Sequence, residues 1–178
     1  GLDWSIIRPF NFVGPEMDYI ITSPEEGTPR VFASFMSALM YDHTMYLVNG
    51  GTNKRSFTYI DDAVAAITTV IENEDNRFSN EIVNVGSPEN EATIEEFAYL
   101  MRDIYQDISA DGSLPEIAEV SGEEFYGDGY ADCERRVPDI SKLQRAGWEP
   151  EYGLRESLKK TMEYYIEKHG GQQIPKHQ

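Results

Sequence analysis

The sequence predicts an α/β fold whose sheet is at least partly parallel and built on an incomplete set of strands. Three observations carry this prediction. Short apolar runs alternate with amphipathic stretches, the pattern of strand–helix–strand units. The strands are too few for a complete doubly wound sheet, whose strands need neighbours and whose faces both need cover. The chain also opens at Gly1, with no initiator Met, and Trp4-Ser5-Ile6-Ile7 already reads as a buried strand. Domains rarely begin on a core strand without a lead-in. The 178 residues are therefore expected to belong to a longer polypeptide.

Each element has a local reason. Trp4 to Arg8 is a short apolar strand that ends at Pro9 and a polar loop, Asn11 to Pro15, and Asp18 to Pro29 is a loop rich in Pro, Gly, Ser, Thr and acids. Val31, Phe32, Phe35, Leu39 and Met40 recur at helical intervals. Met45 to Val48 reads as a strand, Asn49-Gly50-Gly51 as a turn and Ser56 to Ile60 as another strand. Asp61 or Asp62 can cap a helix whose apolar face is Val64, Ile67, Val70 and Ile71. Glu81 to Val85 is a strand closed by Gly86. Thr93-Ile94-Glu95-Glu96 is a capping box, opening a helix that buries Ile94, Phe97, Leu100, Met101 and Ile104. Leu114 to Val120 holds a short strand, and Asp139 to Ala146 a short helix stopped by Gly147 with Pro150 beyond. Leu154, Leu158, Met162, Tyr165 and Ile166 mark a last amphipathic helix, and Gly170 to Gln178 is expected to be a frayed tail. The domain proper is thus residues 1–169.

Composition bounds the function. Hydrophobic residues make up 40%, an ordinary globular content. The formal net charge of −17, from 32 acidic and 15 basic residues, argues against nucleic acid and against an anionic membrane surface, both of which need clustered cations. No run approaches the ~20 apolar residues of a spanning helix, and Gly1 to Phe12 does not resemble a signal peptide. Cys133 is the only cysteine, so the simplest expectation is a reducing, cytoplasmic setting.

Three constellations could carry chemistry. In Arg8-Pro9-Phe10-Asn11-Phe12-Val13-Gly14-Pro15, Asn11 stands at a strand's carboxyl end, where open α/β sheets bind ligands, and its amide suits a sugar or phosphate oxygen. A polar turn after a strand would look the same. In Leu47-Val48-Asn49-Gly50-Gly51-Thr52-Asn53-Lys54-Arg55, the glycines permit close backbone approach, and Arg55 can grip a diphosphate bidentately. The bland alternative is a hairpin with solvated cations. The third, from Phe125 to Arg136, is too rich in aromatics and glycines for an idle loop, unless Arg135 and Arg136 merely pair with neighbouring acids. Other signals fail. Tyr164 and Lys168 have Tyr-x-x-x-Lys spacing, but on the last amphipathic helix, with Tyr165 on its core face. The glycines form no dinucleotide or phosphate loop, and His43, His169 and His177 are scattered, so no metal site is expected.

In this order and spacing, the constellations resemble the carboxyl-terminal half of the extended short-chain dehydrogenases/reductases, from about Gly1 to about His169. Within them they are most similar to the UDP-glucuronate decarboxylase branch, which includes UDP-apiose/UDP-xylose synthases. Arg8-Pro9-Phe10-Asn11 with Gly14-Pro15 matches the loop after the sixth strand. Glu26-Gly27 to Arg30, Asn49-Gly50-Gly51 with Lys54-Arg55-Ser56-Phe57 and Asp62, and Asn84 to Glu91 match in turn. The block Phe125-Tyr126-Gly127-Asp128-Gly129-Tyr130, followed by Arg136-Val137-Pro138-Asp139, is the most specific. The resemblance implies the late strands of a Rossmann-like sheet plus a small α/β substrate-binding region.

It also implies a site. Asn11, Arg30 and Tyr130 match contacts to a UDP-sugar. The stretch from Tyr46, Leu47 and Val48 through Gly50, Gly51 and Lys54 to Arg55 matches the segment wrapping nucleotide and diphosphate. Arg136 matches a catalytic arginine beside the sugar carboxylate. Pro9 and Phe10 match the side facing the cofactor. Tyr46 stands where Lys is usual, and Asn49 where Asp is common. The implied chemistry is oxidation of the sugar C4 hydroxyl by NAD, after which the β-keto acid loses carbon dioxide. A guanidinium does not readily give up a proton, so Arg136 fits electrostatic orientation better than proton donation. The glycine-rich NAD loop and the active-site Tyr and Lys lie upstream in this family, so the chain alone is expected neither to bind NAD tightly nor to turn over, and the whole protein is expected to be a homo-oligomer. Two alternatives stay open: a UDP-sugar 4-epimerase or dehydratase relative, and a non-catalytic acidic interaction module.

Overall fold

The computed structural model describes residues 1–23, 26–27, 29–109, 113–129 and 131–169; Tyr130 and the expected tail from Gly170 to Gln178 lie outside them. The chain begins with β1 (Ser5–Pro9) and β2 (Phe12–Val13), then α1 (Val31–Tyr41), β3 (Met45–Val48), β4 (Lys54–Ser56), β5 (Thr58–Tyr59) and α2 (Ile60–Glu72). It continues through β6 (Glu81–Val85), β7 (Glu91–Thr93), α3 (Ile94–Ile108), β8 (Ile117–Val120) and α4 (Gly122–Tyr126). It closes with β9 (Arg135–Arg136), α5 (Ser141–Arg145) and α6 (Leu154–His169).

The strands form small sheets. β1 pairs in parallel with β6, β2 with β5 and β3 with β8, while β4 lies between antiparallel β7 and parallel β9. The expected parallel character is therefore present. The strand expected over residues 56–60 is broken at Phe57, whose ring is 1% exposed and stacks on Phe97 at 4.0 Å. β3 and β4 do not pair with each other, which excludes the hairpin alternative.

Two cores divide the buried apolar residues. One gathers α1, α3 and α6 around β3, with Phe32, Phe35, Met45, Phe97, Met101, Leu158 and Tyr165 inside. Each fully buried large side chain contributes roughly 1.5–3 kcal/mol. The other packs α2 and α5 on the β1–β6 sheet through Ala63, Ala66, Val83, Val85 and Leu143. On the opposite face of that sheet, Trp4, Ile6 and Ile82 are 42%, 48% and 40% exposed, with Ile6 and Ile82 in register.

The helix starts differ in how they are made. α3 has both halves of its capping box: Thr93 Oγ1 accepts from Glu96 N at 3.0 Å, and the Glu96 carboxylate accepts from Thr93 N at 2.8 Å. α2 does not use Asp61 or Asp62 as its cap; Tyr59 is the N-cap residue and no side chain bonds there. Instead Asp62, 3% exposed, accepts the Glu151 amide at 2.9 Å and the Tyr152 amide at 3.2 Å, and burial pushes its carboxyl pKa up. Of the apolar face expected for α2, Val70 is buried and Ile67 half-buried, whereas Val64 and Ile71 are 54% and 74% exposed and small Ala63 and Ala66 are buried instead. Among the described residues no helix is long and apolar enough to cross a membrane.

Candidate functional site

A cavity of about 580 Å³ opens between α1, β3 and α4. Its first wall follows from strand alternation. Met45 and Leu47 are buried, 1% and 5% exposed, while Tyr46 and Val48 alternate to the other face; Tyr46 and Val48 line the cavity together with Met45 at the start of the strand. Leu47 thus serves packing with its side chain. Tyr46, 47% exposed, meets Phe125 at 6.0 Å between ring centres, and Phe125 meets Tyr126 edge-on at 4.8 Å. Phe125 and Tyr126 also line the cavity, giving it an aromatic mouth.

The turn after β3 explains why Asn-Gly-Gly stands there. Asn49, Gly50 and Gly51 have φ of 49°, 71° and 64°, a left-handed run that side chains resist. A Cβ on Gly51 would come within 2.9 Å of the Glu95 amide nitrogen, so the turn can abut the start of α3 only with glycine. Asn49 Oδ1 accepts the Gly122 amide at 2.9 Å and so holds the first turn of α4, which carries Phe125 and Tyr126.

β4 supplies the polar wall. Lys54 faces solvent, while Arg55 is only 8% exposed and lines the cavity. Its Nη1 donates to the Lys54 carbonyl at 2.7 Å and the Cys133 carbonyl at 2.8 Å, and its Nη2 donates to Asp132. Asp132 also accepts from Asn53 at 3.2 Å and from the Cys133 amide at 2.8 Å. Arg136 lies in register with Arg55 across β4 and β9, and its Nη2 stands 4.0 Å from Asp132. Asp132 is therefore the carboxylate that lets two guanidinium groups sit on neighbouring strands. Arg135 turns the other way and grips Glu91 with bonds of 2.6 and 3.1 Å.

The remaining candidates lie around this cavity. Arg30 lines an adjoining hollow of about 360 Å³ that shares Ile21, Gly27 and Pro29 with it. Asn11, at φ 39°, donates its side-chain amide to the Ser56 carbonyl at 2.9 Å and accepts the Thr58 amide at 3.2 Å through its own carbonyl. It braces β4 and β5 and is not among the lining residues. Pro9 ends β1 and Phe10 follows it. Phe10 N donates to Val85 O at 3.0 Å, and Phe10 O accepts from Thr58 at 2.9 Å. With its backbone groups engaged, Phe10 fits a cofactor only as an apolar wall. Asp132, part of the block that matches the family, and Asn53, part of the glycine-turn constellation, carry no predicted role, because their partners in the site lie more than seventy residues away. Phe125 and Tyr126 were visible in the aromatic block but were not assigned to the wall.

The Tyr164 and Lys168 pair does not face this cavity. Lys168 Nζ lies 3.0 Å from the Tyr164 hydroxyl and 2.8 Å from Glu16, and Tyr164 also bonds Glu16. The pair anchors the loop after β2.

A strand-end loop, a turn with two left-handed glycines and a nearly buried arginine beside a cavity thus stand together in one α/β chain. The profile of the NAD dependent epimerase/dehydratase family matches residues 1–86, and the chain belongs to this family of extended short-chain dehydrogenases/reductases. It is 42% identical over 168 residues to UDP-D-apiose/UDP-D-xylose synthase 1 of Arabidopsis thaliana, covering 92% of this chain and 43% of that protein. It is 40% identical over 168 residues to UDP-D-apiose/UDP-D-xylose synthase of Oryza sativa subsp. japonica, covering 92% of this chain and 42% of that one. The PbgP3 protein from Burkholderia pseudomallei shares its fold with a TM-score of 0.74 and 31% identity, over 93% of this chain and 46% of that one. The chain thus spans less than half the length of the curated relatives it matches.

Proposed function

We propose that the chain is the nucleotide-sugar-binding part of an NAD-dependent UDP-glucuronate decarboxylase. The observation that carries this reading is Arg55, a nearly buried guanidinium on the wall of a 580 Å³ cavity with aromatic rings at its mouth. In a chain of net charge −17, such a group is placed to meet an anion, and the rings supply a stacking surface for a base. Identity of 42% to a UDP-D-apiose/UDP-D-xylose synthase supports the same substrate class.

In this reading Arg55 holds the diphosphate, and Tyr46, Phe125 and Tyr126 flank the nucleoside. Val48, Gly50 and Gly51 line or shape the turn against it, and Lys54 adds charge from the solvent side. Asn11 acts through β4, keeping Arg55 in place. Arg136 faces the sugar carboxylate and steadies negative charge as carbon dioxide departs. The bond from the sugar ring to the carboxylate breaks, and its electron pair passes to the C4 ketone as an enolate, which is protonated next to it. Bound NAD would supply the hydride acceptor for C4. Pro9 and Phe10 offer it apolar contact, and its phosphate loop is assigned to a part of the protein outside these residues.

Calorimetry with UDP and UDP-glucuronate tests the reading on the chain, on Arg55→Lys and on Arg55→Ala. A hydrogen bond to a charged group contributes about 1.5–3 kcal/mol, so Arg55→Ala should bind roughly tenfold to a hundredfold more weakly. Arg55→Lys, which keeps the charge and loses the fork, should fall between. Equal heats for folded parent and variants would remove the basis of the proposal. The chain mixed with NAD and UDP-glucuronate should form no NADH.

A further inference from the structure

The loop between β2 and α1 holds a buried carboxylate whose surroundings are fixed on two sides. The Asp18 side chain is 3% exposed. It takes the side-on edge of Arg30: Nε donates to Oδ1 at 2.9 Å and Nη2 to Oδ2 at 2.8 Å. The second hydrogen of Nη2 reaches the Met17 carbonyl at 3.1 Å. A guanidinium has one hydrogen on Nε and two on each terminal nitrogen. The Nη1 amino group is what remains, and it makes no hydrogen bond among the described residues.

Asp18 is held in turn from behind. The Tyr165 hydroxyl accepts the Asp18 amide at 2.9 Å and donates to the Asp18 carbonyl at 2.9 Å. Tyr165 is 1% exposed, and its ring lies 5.8 Å from that of Phe32 in the first turn of α1. Arg30 is the N-cap residue of that helix. One buried phenol therefore touches both the residue that orients the guanidinium and the helix on which Arg30 sits. A buried carboxylate requires a paired cation, so Arg30 is held in this orientation without any ligand.

We propose that Tyr165 and Asp18 are positioning residues that preset Arg30, leaving its Nη1 group as a donor for an anionic oxygen of the ligand. Arg30 lines a hollow that shares Ile21, Gly27 and Pro29 with the main cavity, so a ligand that extends from the cavity into it brings an anionic oxygen to Arg30. The inference rests on the nucleotide-sugar reading of the cavity. Its physical content is preorganisation: immobilising a rotamer-rich side chain at binding costs about 0.5–1.5 kcal/mol, and a preset arginine avoids that cost.

Two measurements on the chain test it, each with Tyr165→Phe and Asp18→Asn. The first follows the Arg30 Nε–H resonance by NMR without ligand. It should be resolved and exchange-protected in the parent and broadened in both variants. The second is calorimetry with UDP-glucuronate, including Arg30→Ala alone and combined with Tyr165→Phe. Each positioning variant should weaken binding about threefold to tenfold, and Arg30→Ala should cost less in the Tyr165→Phe background than in the parent. An unchanged Nε–H signal in folded Tyr165→Phe overturns the proposal, and so does a fully additive loss. Absence of UDP-glucuronate binding by the parent counts against the proposed function instead, and the resonance comparison still decides whether Tyr165 holds Arg30.

Discussion

Gly86 sets how closely two loops approach at the end of β6. A Cβ there would lie 2.6 Å from Pro138 and 3.0 Å from Phe10. Gly86→Ala should therefore cost about 1–3 kcal/mol, the usual range for overpacking, read as a lower urea midpoint with an unchanged slope. Asp62→Ala belongs at the same scale, because it leaves the Glu151 and Tyr152 amides without their acceptor. A loss of about 1–3 kcal/mol is expected, again by urea unfolding. Tyr46, Gly51 and Arg55, all marked in the sequence, stand together on the cavity wall. Asp62 was misread as a cap because the amides it serves stand eighty-nine and ninety residues away. No local spacing reports such a partner.

Among elements, the capping box of α3 was legible because its reciprocal bonds span only Thr93 to Glu96. Thr93→Ala should destabilise by about 0.5–2 kcal/mol, measured by thermal or urea unfolding. Hydrogen bonds from the backbone and side chain of Thr93 hold the Glu96 carboxyl below the ordinary glutamate range. A carboxylate whose folded pKa is depressed contributes fully above its unfolded value of 4.5 and loses that contribution as pH falls through the folded one. Glu96→Gln should accordingly lower stability near neutrality, where the ionised carboxylate contributes, change it least at low pH, and so flatten the acid limb of the stability–pH curve measured by urea unfolding. The short strands β2, β7 and β9 were not legible: two or three residues carry no alternation to read, and their pairing depends on distant chain. For α2, small Ala63 and Ala66 were overlooked as core residues because larger Val64 and Ile71 fit a helical stripe equally well.

At the scale of the molecule, the order of alternating strands and helices was enough for the fold class. What composition could not convey is that the sheet made by β1 and β6 has an uncovered apolar side. Trp4, Ile6 and Ile82 stand there beside an edge with no further strand among the described residues. The chain by itself should self-associate with rising concentration, and Trp4→Ser with Ile6→Ser should shift sedimentation toward the monomer. Concentration-independent sedimentation of the parent would contradict this.

Asp132, shared by Arg55 and Arg136, has a consequence for how the protein responds to its ionic surroundings. A diphosphate arriving there trades places with a carboxylate already in contact, so few small counterions are displaced. Association should consequently fade only slightly as potassium chloride is raised, whereas Asp132→Asn, with its arginines uncovered, should become markedly salt-sensitive and begin to retain simple inorganic phosphate.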